Sequence, residues 1–447
     1  MSEWIYAIFS RRLETGWIVG VDGRAVIDRA DRKVAELIQS QPSFISIVPD
    51  VQRGFVAEFI ADLMAGWRLG IPIFLGNPQW GSAELAQFSR LTAQVNRRQH
   101  RDLIMIPTGG SSGGVKFAMH TWQTLSASVW GFQEFYGVSA INAVCTLPLY
   151  HVSGLMQLLR SLLTDGKLFI IDFHQLYHDP NIFIEKVYIE PYFISLVPTQ
   201  LAKLLDLDSQ WLAQFQTILL GGAPPMIKLL TRARNARLPL ALTYGMTETA
   251  SQITSLKPAE FLAGHNSCGR VLPHVNIELM SSGEDFTQRR LDLQAKSIRI
   301  KANSLMIGYF PNFNLANYFD PDDLGAFDLD GYLTIFGRNS GKIITGGENV
   351  FPIEVVNAIM ATGLVLDVWV LGLPDSYWGQ VVTAVYVGKN AAVSGEILAQ
   401  AIGGEISNYK IPKHWVPVPQ LPRNSLGKVL AGEIEKMLCA HLNRSIY

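Results

Sequence analysis

Thr217-Ile218-Leu219-Leu220-Gly221-Gly222-Ala223-Pro224-Pro225 opens the stretch that decides the fold, and Ala241-Leu242-Thr243-Tyr244-Gly245-Met246-Thr247-Glu248 closes it. Each part begins as a short apolar run, and Met226–Asn235 between them has a helical pattern. Strands that are apolar throughout, rather than alternating, argue for a sheet covered by helices on both faces. Working outward, Leu103–Ile106, Leu168–Asp172 and Tyr192–Val197 read as further strands, while Thr121–Tyr136, Val152–Leu163 and Gln200–Leu205 read as helices. The alternation predicts an α/β fold of βαβ-type sheets. From about residue 265 the texture turns to short strands and turns, with Ser297–Lys301 and Tyr332–Phe336 the clearest strands. After Gly337-Arg338-Asn339-Ser340-Gly341 it becomes a compact α+β pattern: helices Ile353–Met360 and Ser394–Ser407, strands Leu366–Leu371 and Val381–Val387. The expected organisation is a large N-terminal domain, 1–337, a connection at 338–340, and a small C-terminal domain, 341–447.

The 447 residues are 48% apolar and 17% charged, the latter below the ~25% of ordinary soluble proteins, so a disordered chain is excluded. A net charge of −1 with no basic stripe argues against nucleic acid as a partner. Cys145, Cys268 and Cys439 are too far apart for zinc spacing or a disulfide framework. The apolar run Trp4–Phe9 has no basic region ahead of it, and no run approaches the ~18 apolar residues of a membrane span. A soluble, cytoplasmic protein is expected. Its oligomeric state leaves no mark in the sequence.

Leu103-Ile104-Met105-Ile106-Pro107 runs into Thr108-Gly109-Gly110-Ser111-Ser112-Gly113-Gly114-Val115-Lys116. Glycines let a backbone approach an anion, hydroxyls and amides donate to phosphate oxygens, and a lysine adds charge. A Walker A loop fails, because Lys116 comes one residue late and Phe117 follows it. Gly109-x-Ser111-x-Gly113 satisfies the nucleophile elbow of α/β-hydrolases, with His151, His265, His274 and His414 as formal partners. His151, however, precedes any obvious acid, against the usual Ser, acid, His order. A plain surface turn is the third reading. The loop alone leaves phosphate binding, the elbow and the turn open.

Six more segments follow in order: Pro148-Leu149-Tyr150-His151-Val152-Ser153-Gly154; Gly221-Gly222-Ala223-Pro224-Pro225; Tyr244-Gly245-Met246-Thr247-Glu248-Thr249; Asp323-Leu324-Gly325 leading to Gly337-Arg338; Gly346-Gly347-Glu348-Asn349; and Pro422-Arg423-Asn424-Ser425-Leu426-Gly427-Lys428. With the glycine-rich loop, this series resembles the adenylate-forming superfamily of acyl-CoA ligases, luciferases and peptide-synthetase adenylation domains. The resemblance spans about residues 103–430. Tyr244–Ile253 is most similar to the branch that ligates 2-succinylbenzoate to coenzyme A in menaquinone and phylloquinone synthesis.

The resemblance implies a mobile C-terminal lid and three small-molecule partners besides Mg²⁺: ATP, coenzyme A and a carboxylic acid. It places the β/γ-phosphates on Thr108, Gly110, Ser111, Ser112, Gly113 and Lys116, and the α-phosphate on Thr247. Glu248 would hold Mg²⁺, a hard ion that prefers carboxylate oxygen. Tyr244, Gly245 and Gly222-Ala223-Pro224 would flank the adenine, Asp323 would accept from the ribose, and Arg338 would contact ribose or phosphate. His151 would sit beside the acyl pocket. Lys428 would stabilise the adenylation transition state, and a cation acting there raises turnover more than affinity. Rotation at Ser340 would withdraw Lys428 and bring the Gly346-Gly347-Glu348 loop to the adenylate. The chain departs from the family pattern at Gly109–Gly113, at Val115, and at Pro321-Asp322, where a Thr-Gly normally precedes the ribose aspartate. Asp320 or Asp322 could therefore take the place of Asp323. Taken singly, Lys428 or Arg338 would be an ordinary surface cation, Glu248 a helix cap, Asp323 a turn residue and His151 a core histidine. A ligase for another aryl or medium-chain acid, a Ser111-dependent hydrolase and a non-catalytic nucleotide-binding module are the alternatives.

Overall fold

The computed structural model describes residues 2–49, 55–108, 114–180, 191–207, 210–280, 295–314, 316–423 and 429–442. The strands form four sheets. The first holds five parallel strands in the order Leu240–Met246, Thr217–Leu220, Tyr192–Leu196, Asn142–Cys145 and Leu168–Ile170, extended antiparallel by Ser251–Ser255 and Arg270–Val271. The helices Val152–Leu163 and Ile227–Asn235 provide two of its crossovers. Thr217–Leu220 and Val152–Leu163 match the bounds read from the sequence, because each run ends at a turn or polar residue.

The stretch before residue 100, which carries no readable motif, is a structural half of the core. Its strands Ile45–Ile47 and Ile73–Leu75 run parallel to Ile104–Thr108 in a six-stranded sheet. The helices Ser2–Glu14, Gly23–Ser40 and Phe55–Leu69, with the connection between the first two, bury Phe9, Trp17, Phe59 and Trp67 in one core with Leu155, Leu158 and Leu162 of the crossover helix. Fully burying one such side chain contributes about 1.5–3 kcal/mol, so this layer is held by its packing. Trp17 Nε1 also donates to Ser161 Oγ at 2.9 Å.

An antiparallel sheet of Val275–Met280, Lys296–Ala302, Asp323–Phe327 and Leu333–Arg338 follows, matching the change of texture near 265. The last sheet is built from Ile343–Thr345, Glu348–Val350, Val365–Asp375, Gly379–Gly388 and His414–Pro417 alone. Helix Pro352–Ala361 packs on it.

Several sequence-based bounds shift, the predicted strand Leu366–Leu371 running on to Asp375 and the predicted helix Gln200–Leu205 starting at Pro198, and two others have a clear cause. The predicted helix Ser394–Ser407 stops at Ile402, because Gly403 leaves the helical region and Gly404 takes a φ of +87°. The predicted strand Leu168–Asp172 stops at Ile170, and Asp172 instead caps the short helix Phe173–His178, accepting from His174 N at 2.8 Å. Phe132, fully buried, belongs to the core, and the partly buried Tyr136 packs against it.

Candidate active site

Thr217–Leu220 and Leu240–Met246 are neighbours in the parallel sheet, with Leu220 opposite Leu242. Gly221–Pro225 and Thr243–Thr249 therefore emerge side by side at the carboxyl end, where open α/β sheets bind ligands. Two glycines make the surface there. Gly222 takes a φ of +81°, in the left-handed region, so its turn stays tight. At Gly245 a Cβ would lie 2.2 Å from Ser251 O, so only glycine lets the two strands close at this point.

The Tyr244 hydroxyl donates to Asp323 Oδ2 at 2.6 Å, and Arg338 Nε lies 3.9 Å from Asp323 Oδ1. Asp323 faces Arg338 across paired strands, so the two are held in register. Burial raises the Asp323 carboxyl above its ordinary range, against the opposing pull of Tyr244 and Arg338. The Tyr244 phenol is pushed up by burial and by the Asp323 charge. The neighbouring carboxylates are engaged elsewhere. Asp320 makes two 2.9 Å bonds to Arg299, and Asp322 accepts from Ser340 N at 3.1 Å. Of the three candidates, Asp323 is the one on the tyrosine wall.

Ile104–Thr108 and Lys116–His120 form an antiparallel hairpin in which Thr108 faces Lys116. The glycine-rich segment thus joins two strands. A nucleophile elbow needs a strand-to-helix turn, so the hydrolase reading of Ser111 is not supported by this connection. Gln87, on helix Ser82–Thr92, grips the hairpin: Val115 N donates to its Oε1 at 2.9 Å, and its Nε2 donates to Val115 O at 3.3 Å.

Fully buried His120 links the hairpin to the Thr247 turn. Its Nε2 lies 2.8 Å from Thr247 O and its Nδ1 3.0 Å from Thr124 Oγ1. An Nε2–H donating to the carbonyl leaves Nδ1 to accept, so the ring is neutral; burial pushes it down to about 4. Thr247 opens a short 3₁₀ turn, closed by Ala250 at a φ of +50°. Met306 N donates to Glu248 O at 2.8 Å, and the Tyr309 hydroxyl donates to Glu248 Oε1 at 2.6 Å, which fixes the carboxylate. Its other oxygen accepts none of these bonds, and one carboxylate beside phosphate and water is a usual Mg²⁺ environment.

His151 precedes helix Val152–Leu163 with its ring 4.6 Å from Tyr150, and burial pushes it down to about 4. About two and a half turns along, the same helix buries Arg160, which is 2% exposed. Arg160 Nη2 donates to Ser251 Oγ at 3.3 Å, and its guanidinium lies 4.1 Å from the Phe132 ring centroid. Burial lowers it to about 10, and among the described residues no carboxylate faces it. Among the described residues, Arg160 Nε, Gln157 Oε1 and His274 Nδ1 are buried without hydrogen-bond partners. His274, held at 3.1 Å from Ser304 Oγ, is pushed down to about 4 by burial and by Arg160. A buried cation with no counter-ion beside it is costly unless an anion completes it.

Gly110, Ser111, Ser112, Gly113 and Lys428 lie outside the described residues. Of the predicted residues that are described, Tyr244, Asp323 and Arg338 are brought together directly, Gly222, Ala223 and Pro224 follow a strand whose neighbour carries Gly245, Thr247 and Glu248 at its end, and His120 ties the hairpin of Thr108 and Lys116 to Thr247. Gly347 is on the C-terminal sheet, between Ile343–Thr345 and Glu348–Val350. Sequence reasoning missed Gln87, His120, Arg160 and Tyr309, and named Asp322 only as a stand-in for Asp323. Of the four, only Arg160 left a trace, as a charge on the predicted helix 152–163.

The family model described as AMP-binding enzyme matches residues 74–310, and that of the AMP-binding enzyme C-terminal domain matches residues 354–428. A 2-succinylbenzoate–CoA ligase of Bacillus licheniformis is 31% identical over 336 residues, covering 72% of this chain and 67% of that protein. The enzyme of the same name from Lactococcus lactis is 31% identical, covering 74% of this chain and 70% of its own. In fold, the chain is similar to the Bacillus subtilis o-succinylbenzoate CoA synthetase in complex with its acyl-adenylate intermediate, with a TM-score of 0.79 at 23% identity, covering 94% of each chain. It is similar also to ATP-bound MatB of Rhodopseudomonas palustris, with a TM-score of 0.78 at 22% identity, covering 94% of this chain and 95% of that one. Matched over more than half its length by the one model and over its C-terminal part by the other, the chain belongs to the AMP-binding enzymes.

Proposed function

We propose that this chain is an ATP-dependent acyl-CoA ligase acting on 2-succinylbenzoate, as its relatives' names and the resemblance of Tyr244–Ile253 suggest. A succinyl carboxylate oxygen attacks the α-phosphorus of ATP and the bond to pyrophosphate breaks. The thiol sulfur of coenzyme A then attacks the acyl carbon, AMP leaves, and the thiol proton goes to solvent. The product is the thioester used in quinone synthesis, menaquinone or phylloquinone.

Arg160 is the observation that carries the substrate. It is a buried guanidinium with no carboxylate partner among the described residues, on the helix that His151 begins. A substrate with one carboxylate for adenylation and a second for Arg160 satisfies both ends. A plain medium-chain acid would leave Arg160 buried and unpaired.

The remaining roles are those that the family resemblance assigns to these residues. The hairpin from Thr108 to Lys116 cradles the polyphosphate, through Gly110, Ser111, Ser112 and Gly113, with Gln87 fixing its far side. Thr247 contacts the α-phosphate. Glu248, oriented by Tyr309, would hold Mg²⁺, whose charge offsets that of the phosphates when it is bound. Tyr244 and Gly245, with Gly222-Ala223-Pro224, flank the adenine, while Asp323 and Arg338 take the ribose. His151, a neutral buried ring, gates the acyl pocket. The domains divide at 338–340, and the lid of residues 341–447 first presents Lys428 to the transition state and then turns the Gly347 loop toward the adenylate. A cytoplasmic location belongs to the same reading; no described helix is long and apolar enough to cross a membrane.

Acid-dependent ATP–pyrophosphate exchange tests the first half-reaction. With 2-succinylbenzoate the exchange should rise well above the acid-free rate. Exchange no faster than without acid would end this assignment.

A further inference from the structure

Asp322 stands in the left-handed region, at a φ of +64°, which is uncommon for any residue but glycine, though aspartate tolerates it. Both of its acceptors are used on the same target. Its carbonyl accepts from Asn339 N at 2.7 Å, and its carboxylate Oδ2 accepts from Ser340 N at 3.1 Å. Asn339–Gly341 is a single 3₁₀ turn linking the nucleotide wall to the C-terminal sheet. A turn begins with amide donors that have no partner within it, and Asp322 satisfies two of them from a distant strand end. The next residue, Asp323, accepts from Tyr244 on the nucleotide wall. Two consecutive carboxylates thus face in different directions, one to the nucleotide site and one to the connection between domains.

We propose that Asp322 is a positioning residue that pins the stationary side of the hinge. This rests on the reading of 338–340 as the hinge of a ligase lid. The peptide between Asn339 and Ser340 is tied to the body of the enzyme through its N–H. Rotation of the lid is therefore confined to the bonds after Ser340 N, and the swing begins at one defined point. With the pin removed, the pivot spreads back through Asn339 and Arg338. The lid then reaches its two working orientations in altered proportion.

The test compares Asp322→Gly, Asp322→Ala and Asp322→Asn in the full chain. Glycine relieves the left-handed backbone and removes the carboxylate, and alanine removes it without adding backbone freedom. Asparagine keeps an acceptor oxygen and the left-handed tolerance. The first readout is limited trypsin cleavage after Arg338 and Lys342, followed by mass spectrometry, which needs no substrate. The second is the ratio of pyrophosphate exchange to thioester formation. Glycine and alanine variants should be cut about five-fold faster at these sites, the loss expected for one exposed hydrogen bond. The glycine variant should keep the wild-type melting temperature or exceed it. The ratio of half-reactions should shift several-fold in both, and asparagine should restore both readouts. Wild-type cleavage rates in the glycine and alanine variants would overturn the proposal, as would faster cleavage with an unchanged ratio. If no acid supports exchange, the ligase reading fails on its own, and the cleavage comparison still decides the pin.

Discussion

Replacing Arg160 with methionine should weaken the enzyme toward its diacid substrate while leaving the fold as stable as before. The fall of the guanidinium from 12.5 to about 10 on burial corresponds to about 3 kcal/mol of disfavoured charge, at about 1.4 kcal/mol per pKa unit. Against that, the substitution loses the 3.3 Å bond to Ser251 and the contact with the Phe132 ring, each worth about 1 kcal/mol. Methionine fills the space with an unbranched apolar chain, so the net change in stability is close to zero or favourable. Binding moves the other way. Breaking a buried ion pair by removing one partner costs about 3–5 kcal/mol, which lowers kcat/KM for 2-succinylbenzoate by roughly 150- to 5,000-fold. The assay is AMP formation with 2-succinylbenzoate and with 4-oxo-4-phenylbutanoate, which keeps the reacting carboxylate and lacks the aromatic one. The variant should lose activity only on the first acid and equal or exceed wild type on the second. Equal losses on both acids, or a clear fall in urea stability, would show that Arg160 is structural and refute the argument.

Three other outcomes follow. His120, His151 and His274 are each lowered from 6.5 to about 4 chiefly by burial, so the unfolded chain takes up their protons first. Their contribution is complete above pH 6.5 and declines as pH falls toward 4, by about 2 kcal/mol per histidine at pH 5; urea midpoints that stay flat between pH 7 and 5 would contradict this. Gln87→Ala removes both bonds to Val115, and should raise KM for ATP several-fold with little change in melting temperature; an unaltered KM would mean that the hairpin holds its shape without the glutamine. Lys428→Ala should slow pyrophosphate exchange by about 10²–10³-fold while ATP still binds by calorimetry, as expected of a group that acts mainly in the transition state.

Much of the wall was legible because its residues lie in sequence-local signals. Thr217–Leu220 is a β-branched and apolar run that ends at paired glycines, so both the strand and the turn that follows could be read from nine residues. Tyr244–Thr249 was legible in the same way. Arg160 was not, since a single cation on a helix of leucines usually marks the solvent face; it is buried only because Phe132, Ser251 and His274 come from three other elements. Gln87 and Asp322 act on backbone amides, whose partners leave no pattern in side-chain sequence. The glycine-rich loop kept three readings open because loop composition does not say whether a helix or a strand follows. The pairing of Thr108 with Lys116 gives the answer.

The most direct measurement is thioester formation from ATP, Mg²⁺, coenzyme A and a small panel of carboxylic acids, followed by mass spectrometry with AMP and pyrophosphate counted alongside. The account predicts 2-succinylbenzoyl-CoA as the preferred product, with one AMP and one pyrophosphate for each thioester. A preference for acids with a single carboxylate, or AMP released with no thioester formed, would contradict it.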